Sequence, residues 1–278
     1  MNLVFIADFF AEQVTGGGEL NNEELIQLLK DQDISVEKIN SHLVTPELIK
    51  RRSISGFIVS NFVNLHPSCI EALYDKKYVI YEHDHKYLKN RNPATYKEFK
   101  APEEDIINYD FYKNASAVFC QSSFHKGIIF KNLGLENIVS VGGNLWGLKA
   151  FELVRNHAEK KKAERCSVMY SQIPHKNTLA AKAFCIHKGL DFEIIPSLKY
   201  YDFLDRISNN DTLVFFPKTP ETLSRIVVEA RMMGMKVICN DLVGATKEEW
   251  FNLKGVSLID IMMKKREEIP TLVMEALR

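Results

Sequence analysis

Short apolar runs of four or five residues recur along the chain, each closed by turn-forming residues and separated by stretches long enough for a helix. Leu3–Ala7, Gly56–Ser60, Tyr78–Tyr81, Ala117–Gln121 and Ile138–Val141 read as buried strands in the first half. Val168–Ser171, Phe192–Pro196, Leu213–Phe216, Lys236–Asn240 and Val256–Ile259 read likewise in the second. Enrichment in β-branched and aromatic residues at this length favours strands over helix fragments. Strands that alternate with helices predict parallel sheets covered on both faces. Two such sets fit a chain of two ordinary domains. The charge run HAEKKKAER ends the stretch Leu148–Arg165 and marks the boundary. The predicted organisation is an α/β domain over residues 1–150, a solvated helical linker over 151–165 and a second α/β domain over 166–278.

Composition narrows the function. Thirty-six acidic residues balance 36 basic ones, so the broad positive footprint of a nucleic-acid binder is absent. The five cysteines are scattered and form no CxxC pair, which argues against a disulfide framework or a zinc site. The opening MNLVFIADFF lacks a basic leader, and no run approaches eighteen apolar residues. A cytoplasmic protein without a membrane span is expected.

Ligands of open parallel sheets bind at the carboxyl ends of the strands, so sequences that follow strands carry the candidate chemistry. The richest is FPKTPETLSRIVVEA at Phe216–Ala230, followed by Gly234 and the strand-like run from Met235. Thr219 as N-cap and Pro220 at the first position predict a helix that buries Ile226, Val227, Ala230 and Met233 and stops at Gly234. Glu221 and Glu229 lie eight positions apart, roughly 12 Å of helix rise. That span separates a sugar from a ribose across a diphosphate. Thr222 and Ser224, with the free N–H groups of the first turn, are suited to the diphosphate, and the carboxylates to sugar and ribose hydroxyls. The plain alternative is a helix start with Glu221 favoured by the dipole.

Three further stretches follow predicted strands. TGGGEL at Thr15–Leu20 precedes a helix predicted over Asn22–Lys30, and glycines such as Gly17 and Gly18 let backbone N–H groups approach an anion. It is not the GxGxxG of dinucleotide binders. YVIYEHDH at Tyr78–His85 places His83 and His85 after a strand, without further clustered metal ligands. YSQIPHKN at Tyr170–Asn177 carries Lys176. The basic, aromatic segment Lys86–Lys100 is open to three readings: an acceptor site, a peripheral contact with an anionic membrane, or the solvated loop that Asn92-Pro93 favours.

Taken in order over roughly residues 1–250, these segments resemble retaining GT-B glycosyltransferases, those similar to glycosyltransferase family four. That family's donor segment reads P-S-x-x-E-x-F-G-x-x-x-x-E-A-x-x-x-G-x-P-V. Pro217, Glu221, Glu229, Ala230, Gly234 and Val237 stand in register with it; Lys218, Leu223, Ser224 and Lys236 replace its Ser, Phe, Gly and Pro. TGGGEL resembles the family's GGxE loop, EHDH its HD, and Ala115–Asn144 the stretch that closes its first domain, where Ser122 is a cleft candidate. YSQIPHKN resembles its G-R-x-x-x-x-K-G, with Lys176 as the lysine and no counterpart of the arginine.

The resemblance implies a GT-B fold, two Rossmann-like domains with parallel sheets facing a central cleft, acceptor domain first and donor domain second. It implies transfer of a sugar from a nucleoside diphosphate sugar to a hydroxyl acceptor (glycan, lipid or small molecule), with retention and with neither metal nor cofactor. Glu221, His83 and Lys176 are the implied catalytic residues. Glu229, Thr222, Leu223, Ser224, Gly17 and Gly18 are the implied donor contacts, and Lys218 or Arg225 could replace the absent arginine. A nucleotide-sugar epimerase or hydrolase, or a non-catalytic nucleotide- or glycan-binding protein of the same fold, are the alternatives.

Overall fold

The computed structural model describes residues 1–278. They divide into two units, Met1–Leu145 with Lys265–Arg278, and Trp146–Lys264. Unit 1 contains β1 (Asn2–Ala7), α1 (Gly17–Lys30), β2 (Ser35–Asn40), α2 (Pro46–Ile49), β3 (Gly56–Val59), α3 (Pro67–Leu73), β4 (Tyr78–Glu82), α4 (Tyr109–Asn114), β5 (Ala117–Cys120), α5 (Ser123–Leu133) and β6 (Ile138–Ser140). Unit 2 contains α6 (Leu148–Ala158), β7 (Ala163–Met169), α7 (Thr178–Lys188), β8 (Phe192–Ile195), α8 (Tyr200–Ile207), β9 (Asn210–Phe215), α9 (Arg225–Met232) and β10 (Lys236–Cys239). The last helix, α10 (Val256–Leu277), has its first turns in unit 2 and its last in unit 1.

Both sheets are parallel throughout, in the orders β2-β1-β3-β4-β5-β6 and β10-β9-β7-β8. The unbroken apolar runs are explained by burial on both faces, since every residue of β3, β4 and β5 is buried. Period-two alternation then sorts the side chains. Val4, Ile6, Phe57, Val59, Ile80 and Val118 pack under α3, α4 and α5 through Leu73, Phe111 and Ile129. Leu3, Phe5, Ile58, Val79 and Phe119 pack under Leu25 and Leu29 of α1 and under Ile269, Val273 and Leu277 of α10. This second face is why the C-terminal residues belong to unit 1.

In unit 2 the main core joins Trp146, Phe151 and Val154 to Leu213, Phe215, Val227, Val228 and the first turns of α10. The opposite face of that sheet is thin, built from Cys166, Val168 and Val214 under Ala181 and Cys185 of α7.

The structure departs from the sequence reading in definite places. Residues 151–165 form most of α6 and the start of β7, and α6 buries Ala150, Phe151, Val154 and His157. Val256–Ile259, read as a strand, opens α10, because Leu258, Ile259 and Met262 repeat at helical spacing and are buried together. Strand β2 was invisible as an apolar run, since it is an edge strand in which only Val36 is buried. Helix α1 starts at Gly17, so Gly17 and Gly18 lie in its first turn and not in a loop before it.

Ile269 is fully buried against unit 1. Ile269→Ala should lower the unfolding free energy by about 2–5 kcal/mol, measured by chemical denaturation. An unchanged midpoint would show that α10 is not part of that core.

Candidate functional site

The loops that leave the carboxyl ends of the unit 2 strands are stapled to one another by side-chain and backbone hydrogen bonds. After β9, the Phe216 carbonyl accepts from Asn177 Nδ2 at 2.9 Å and the Pro217 carbonyl from Asn240 Nδ2 at 2.8 Å. The Lys218 N–H donates to the His175 carbonyl at 2.8 Å. Glu221 is held through its backbone, donating to the Leu242 carbonyl at 2.7 Å and accepting from the Gly244 N–H at 2.9 Å. It bridges Val243 in parallel. Glu221 is therefore extended, and the helix expected from Thr219 and Pro220 begins only at Arg225. The 12 Å helical spacing read between the two glutamates does not apply.

Ser224 is the point of change. It lies at φ +75° and ψ 89°, a left-handed conformation that side-chain-bearing residues rarely adopt. The resemblance places glycine there, and the backbone explains why. The Ser224 hydroxyl does not cap α9, and its oxygen is buried without a hydrogen bond. Leu223 beside it is fully buried in the unit 2 core, its carbonyl bonded by the Ala245 N–H at 3.0 Å. Thr222 stands half-buried between Glu221 and Leu223.

Each glutamate has its own cation. Lys176, from the loop after β7, contacts both Glu221 oxygens at 2.7 and 2.9 Å. Glu229, on the buried side of α9, is 3% exposed. Its Oε1 accepts from the Trp146 indole at 2.8 Å and from the Tyr200 hydroxyl at 2.7 Å. The Arg225 Nε lies 3.6 Å from the same oxygen, and its guanidinium sits 4.6 Å from the Trp146 ring centre. None of these contacts involves Oε2. Burial and the adjacent Glu229 charge push the Tyr200 phenol well above its ordinary pKa, so it remains a donor. Lys218 is exposed.

In unit 1, polar residues gather where β1, β3, β4 and β5 end, around the β1/β3 position where the strand order reverses. Asp8 accepts from the N–H groups of Val63 and Asn64, each at 3.0 Å, and from Ser41 Oγ. The His83 ring is held at both nitrogens: Nε2 lies 2.6 Å from Asn22 Oδ1, and Gln121 Nε2 contacts Nδ1. An amide N–H facing Nδ1 and an amide oxygen facing Nε2 set the neutral tautomer with its proton on Nε2. Gly18 permits this packing, for a Cβ there would lie 3.3 Å from the ring carbons. Gly17 is exposed.

Beneath lies a buried charge network. Glu82 accepts from Lys86 Nζ, from Tyr112 Oη and, at 2.9 Å, from the Asp84 N–H. Lys86 also reaches Asn61 Oδ1 at 3.4 Å, and Asn61 Nδ2 donates to Glu19 at 3.2 Å. Burial raises the Glu19 pKa. His85 is buried beside His125, ring centres 5.0 Å apart, and burial holds its pKa down to about 3. Ser122 serves as the cap of α5, accepting from the His125 N–H at 3.0 Å. Trp146, Tyr200, Asn22 and Gln121 were not read as site residues, because no local spacing announces a partner tens of positions away.

No protein-family model and no curated protein sequence matches the chain. Solved structures do match in fold. HepE (Alr3699) of Anabaena, in complex with UDP-glucose, superposes with a TM-score of 0.56 at 14% identity, over 100% of this chain and 93% of its own. The UDP-GlcNAc 2-epimerase of Methanocaldococcus jannaschii, with UDP-GlcNAc and UDP, gives 0.55 at 11% identity over 99% and 100%. The lipopolysaccharide outer core galactosyltransferase WaaB gives 0.53 at 11% over 100% and 92%. Two parallel Rossmann-like sheets and these neighbours define the fold as GT-B.

Glu82 and Lys86 are both essentially excluded from solvent. Glu82→Gln, which leaves the ammonium unpaired, should cost about 3–5 kcal/mol, whereas Glu82→Gln with Lys86→Met should recover most of it. Thermal and denaturant unfolding of both variants checks this; equal losses would mean that the pair is not coupled.

Proposed function

We propose that the chain transfers a glycosyl group from a nucleoside diphosphate sugar to a hydroxyl acceptor, in the manner of the family-four enzymes it resembles, with retention and without a metal. The observation that carries the reading is the pair of fixed carboxylates on either side of the α9 start. Glu229 is anchored through Oε1 by Trp146 and Tyr200, which leaves Oε2 to accept ribose hydroxyls. Glu221 is oriented by Lys176 and is assigned to the transferred sugar. The Lys176 ammonium has three N–H donors. Two are directed at Glu221, and the third is assigned to the diphosphate.

Charge on the departing diphosphate is then met by Lys176 and by the α9 terminus with Thr222, Leu223 and Ser224. Because Arg225 is turned to Glu229, Lys218 is the better substitute for the absent arginine. On unit 1, His83 is assigned to a sugar hydroxyl, with Asn22 or Gln121 yielding its bond, and Gly17 and Gly18 to close backbone approach. Neighbours solved with UDP or UDP-glucose support a uridine diphosphate donor. Five unpaired cysteines support a reducing, cytoplasmic setting. The epimerase neighbour supports one second reading, isomerisation of a nucleotide sugar without an acceptor.

Thermal unfolding with UDP, GDP, ADP, dTDP and CMP and their sugars, EDTA present, should single out one series. Saturation at about a hundred times the dissociation constant adds roughly 2.7 kcal/mol, a shift of several degrees. No shift with any of them would reject the donor site. With the donor that binds, transfer to an acceptor panel supports the transferase, and an epimeric sugar formed without acceptor supports the second reading. Glu221→Gln should lower turnover at least a hundredfold, the scale of one lost transition-state contact, with the fold intact. A fully active variant would remove Glu221 from its role. Trp146→Phe should instead weaken donor binding several-fold, about 1 kcal/mol for one hydrogen bond, read by titration calorimetry.

A further inference from the structure

The sequence offered Lys86–Lys100 as a surface for lipid or acceptor, but Lys86, Tyr87, Leu88 and Pro93 are packed inside unit 1. Lys86 turns to the strand ends, where it organises a carboxylate that the proposed transfer does not yet use. Its Nζ pairs with Glu82 and donates to Asn61 Oδ1 at 3.4 Å. With that oxygen occupied, the Asn61 amide turns its Nδ2 to Glu19 Oε1 at 3.2 Å. The second oxygen, Oε2, folds back over Gly16, where a Cβ would collide with it. Gly16 lies at φ −115° and ψ 166°, extended backbone open to any residue. What glycine supplies there is room for the carboxylate.

Glu19 differs from the other carboxylates at the strand ends. Glu82, Glu221 and Glu229 each face a cation, and Asp8 takes two backbone N–H groups. Glu19 is half-buried with one amide on Oε1, and no other residue donates to Oε2. Lys86 and its own N–H favour the anion and Asp8 opposes it, but burial outweighs them and raises its pKa. A half-buried carboxylate short of partners is costly, and such groups gather where a ligand supplies the missing bond. The turn beneath Oε2 is exposed at Val14, Thr15 and Gly17. A carboxylate only accepts hydrogen bonds, so the missing partner is a donor and not a phosphate. Its position indicates which donor. The missing Cβ of the preceding Gly18 admits the His83 ring, and His83 is assigned to the transferred sugar. The donor that must approach that sugar is the acceptor hydroxyl.

We propose that Glu19 Oε2 accepts a hydrogen bond from the acceptor hydroxyl and holds it for attack on the sugar, an inference that rests on the glycosyl-transfer reading. It is tested with the nucleotide sugar that shifts thermal unfolding and the acceptor that it glycosylates. Glu19→Gln should keep the donor dissociation constant within about twofold and lower kcat/KM for the acceptor about ten- to a hundredfold, the scale of a hydrogen bond to a charged group. Its pH profile should lose the acid limb that the wild type shows above the ordinary carboxylate range, because protonation removes the accepting anion. Gly16→Ala, which keeps the charge but displaces the carboxylate, should act in the same direction. At neutral pH Glu19→Gln should unfold no lower than the wild type, since a carboxyl whose pKa is raised by folding costs stability once ionised. A glutamate kept only for the helix dipole would lose stability on that change. If the wild type transfers the sugar and Glu19→Gln matches its kcat/KM, this proposal alone is overturned. A loss of donor affinity as large as the loss of acceptor turnover overturns it too. A wild type that transfers from no donor rejects the glycosyl-transfer reading and this proposal with it.

Discussion

Burial of parallel strands on both faces is the constraint from which the rest of this structure follows. A strand covered on both sides has no room along its length for a polar group that lacks a dedicated partner. Polar chemistry is therefore displaced to the carboxyl edge, where the chain leaves the sheet and its backbone groups must find partners. Unit 1 shows the displacement most clearly: β4 is buried throughout and ends at Glu82, and the next four residues, His83 to Lys86, are all charged or polar. In unit 2 the same transition occurs between the buried Phe215 and the exposed Lys218.

What keeps such an edge from being merely a set of loops is side-chain stapling. Asp8 fixes the segment after β3 from the end of β1. Asn22, on α1, takes Ser60 Oγ at 3.1 Å as well as the His83 ring, joining a helix to two strand ends. Asn177 and Asn240 do the same for the segment after β9. Each bond contributes only about 1 kcal/mol net. Their value lies in geometry, because a carboxylate or imidazole whose supports are themselves bonded is held in one orientation before any ligand arrives.

How much of this was legible follows from the range of each signal. Nine of the strands left apolar runs in the sequence, most plainly β3, β4 and β5, which are buried at every residue; β2, an edge strand in which only Val36 is buried, left none. The segments that follow strands were legible as candidate chemistry for the same reason. Their local conformation was not. Thr219-Pro220-Glu221 satisfies every local rule for a helix start, yet the backbone bonds from Leu242 and Gly244 hold Glu221 extended. Those partners lie more than twenty positions away, beyond any spacing rule. Trp146 and Tyr200 were illegible on the same ground, each separated from Glu229 by tens of residues.

The turn at Ser224 shows what such a non-local bond decides. Had the helix begun at Pro220, Glu221 and Arg225 would have stood at positions i and i+4 on one face, the favoured spacing for an ion pair. Arg225 would then have stood at that spacing from both Glu221 and Glu229, one cation between two carboxylates. With the backbone broken at Ser224, only Arg225 and Glu229 share the helix and they pair there, while Glu221 pairs with Lys176 from a different loop. A residue with a side chain at φ +75° costs on the order of 1–3 kcal/mol. The bonds from Ala245 to Leu223 and from Val227 and Val228 to the Ser224 carbonyl, with full burial of Leu223, offset it. With Glu221 off the helix, the half-buried glutamate is paired with a lysine ammonium and the buried one with a planar guanidinium 4.6 Å from an indole.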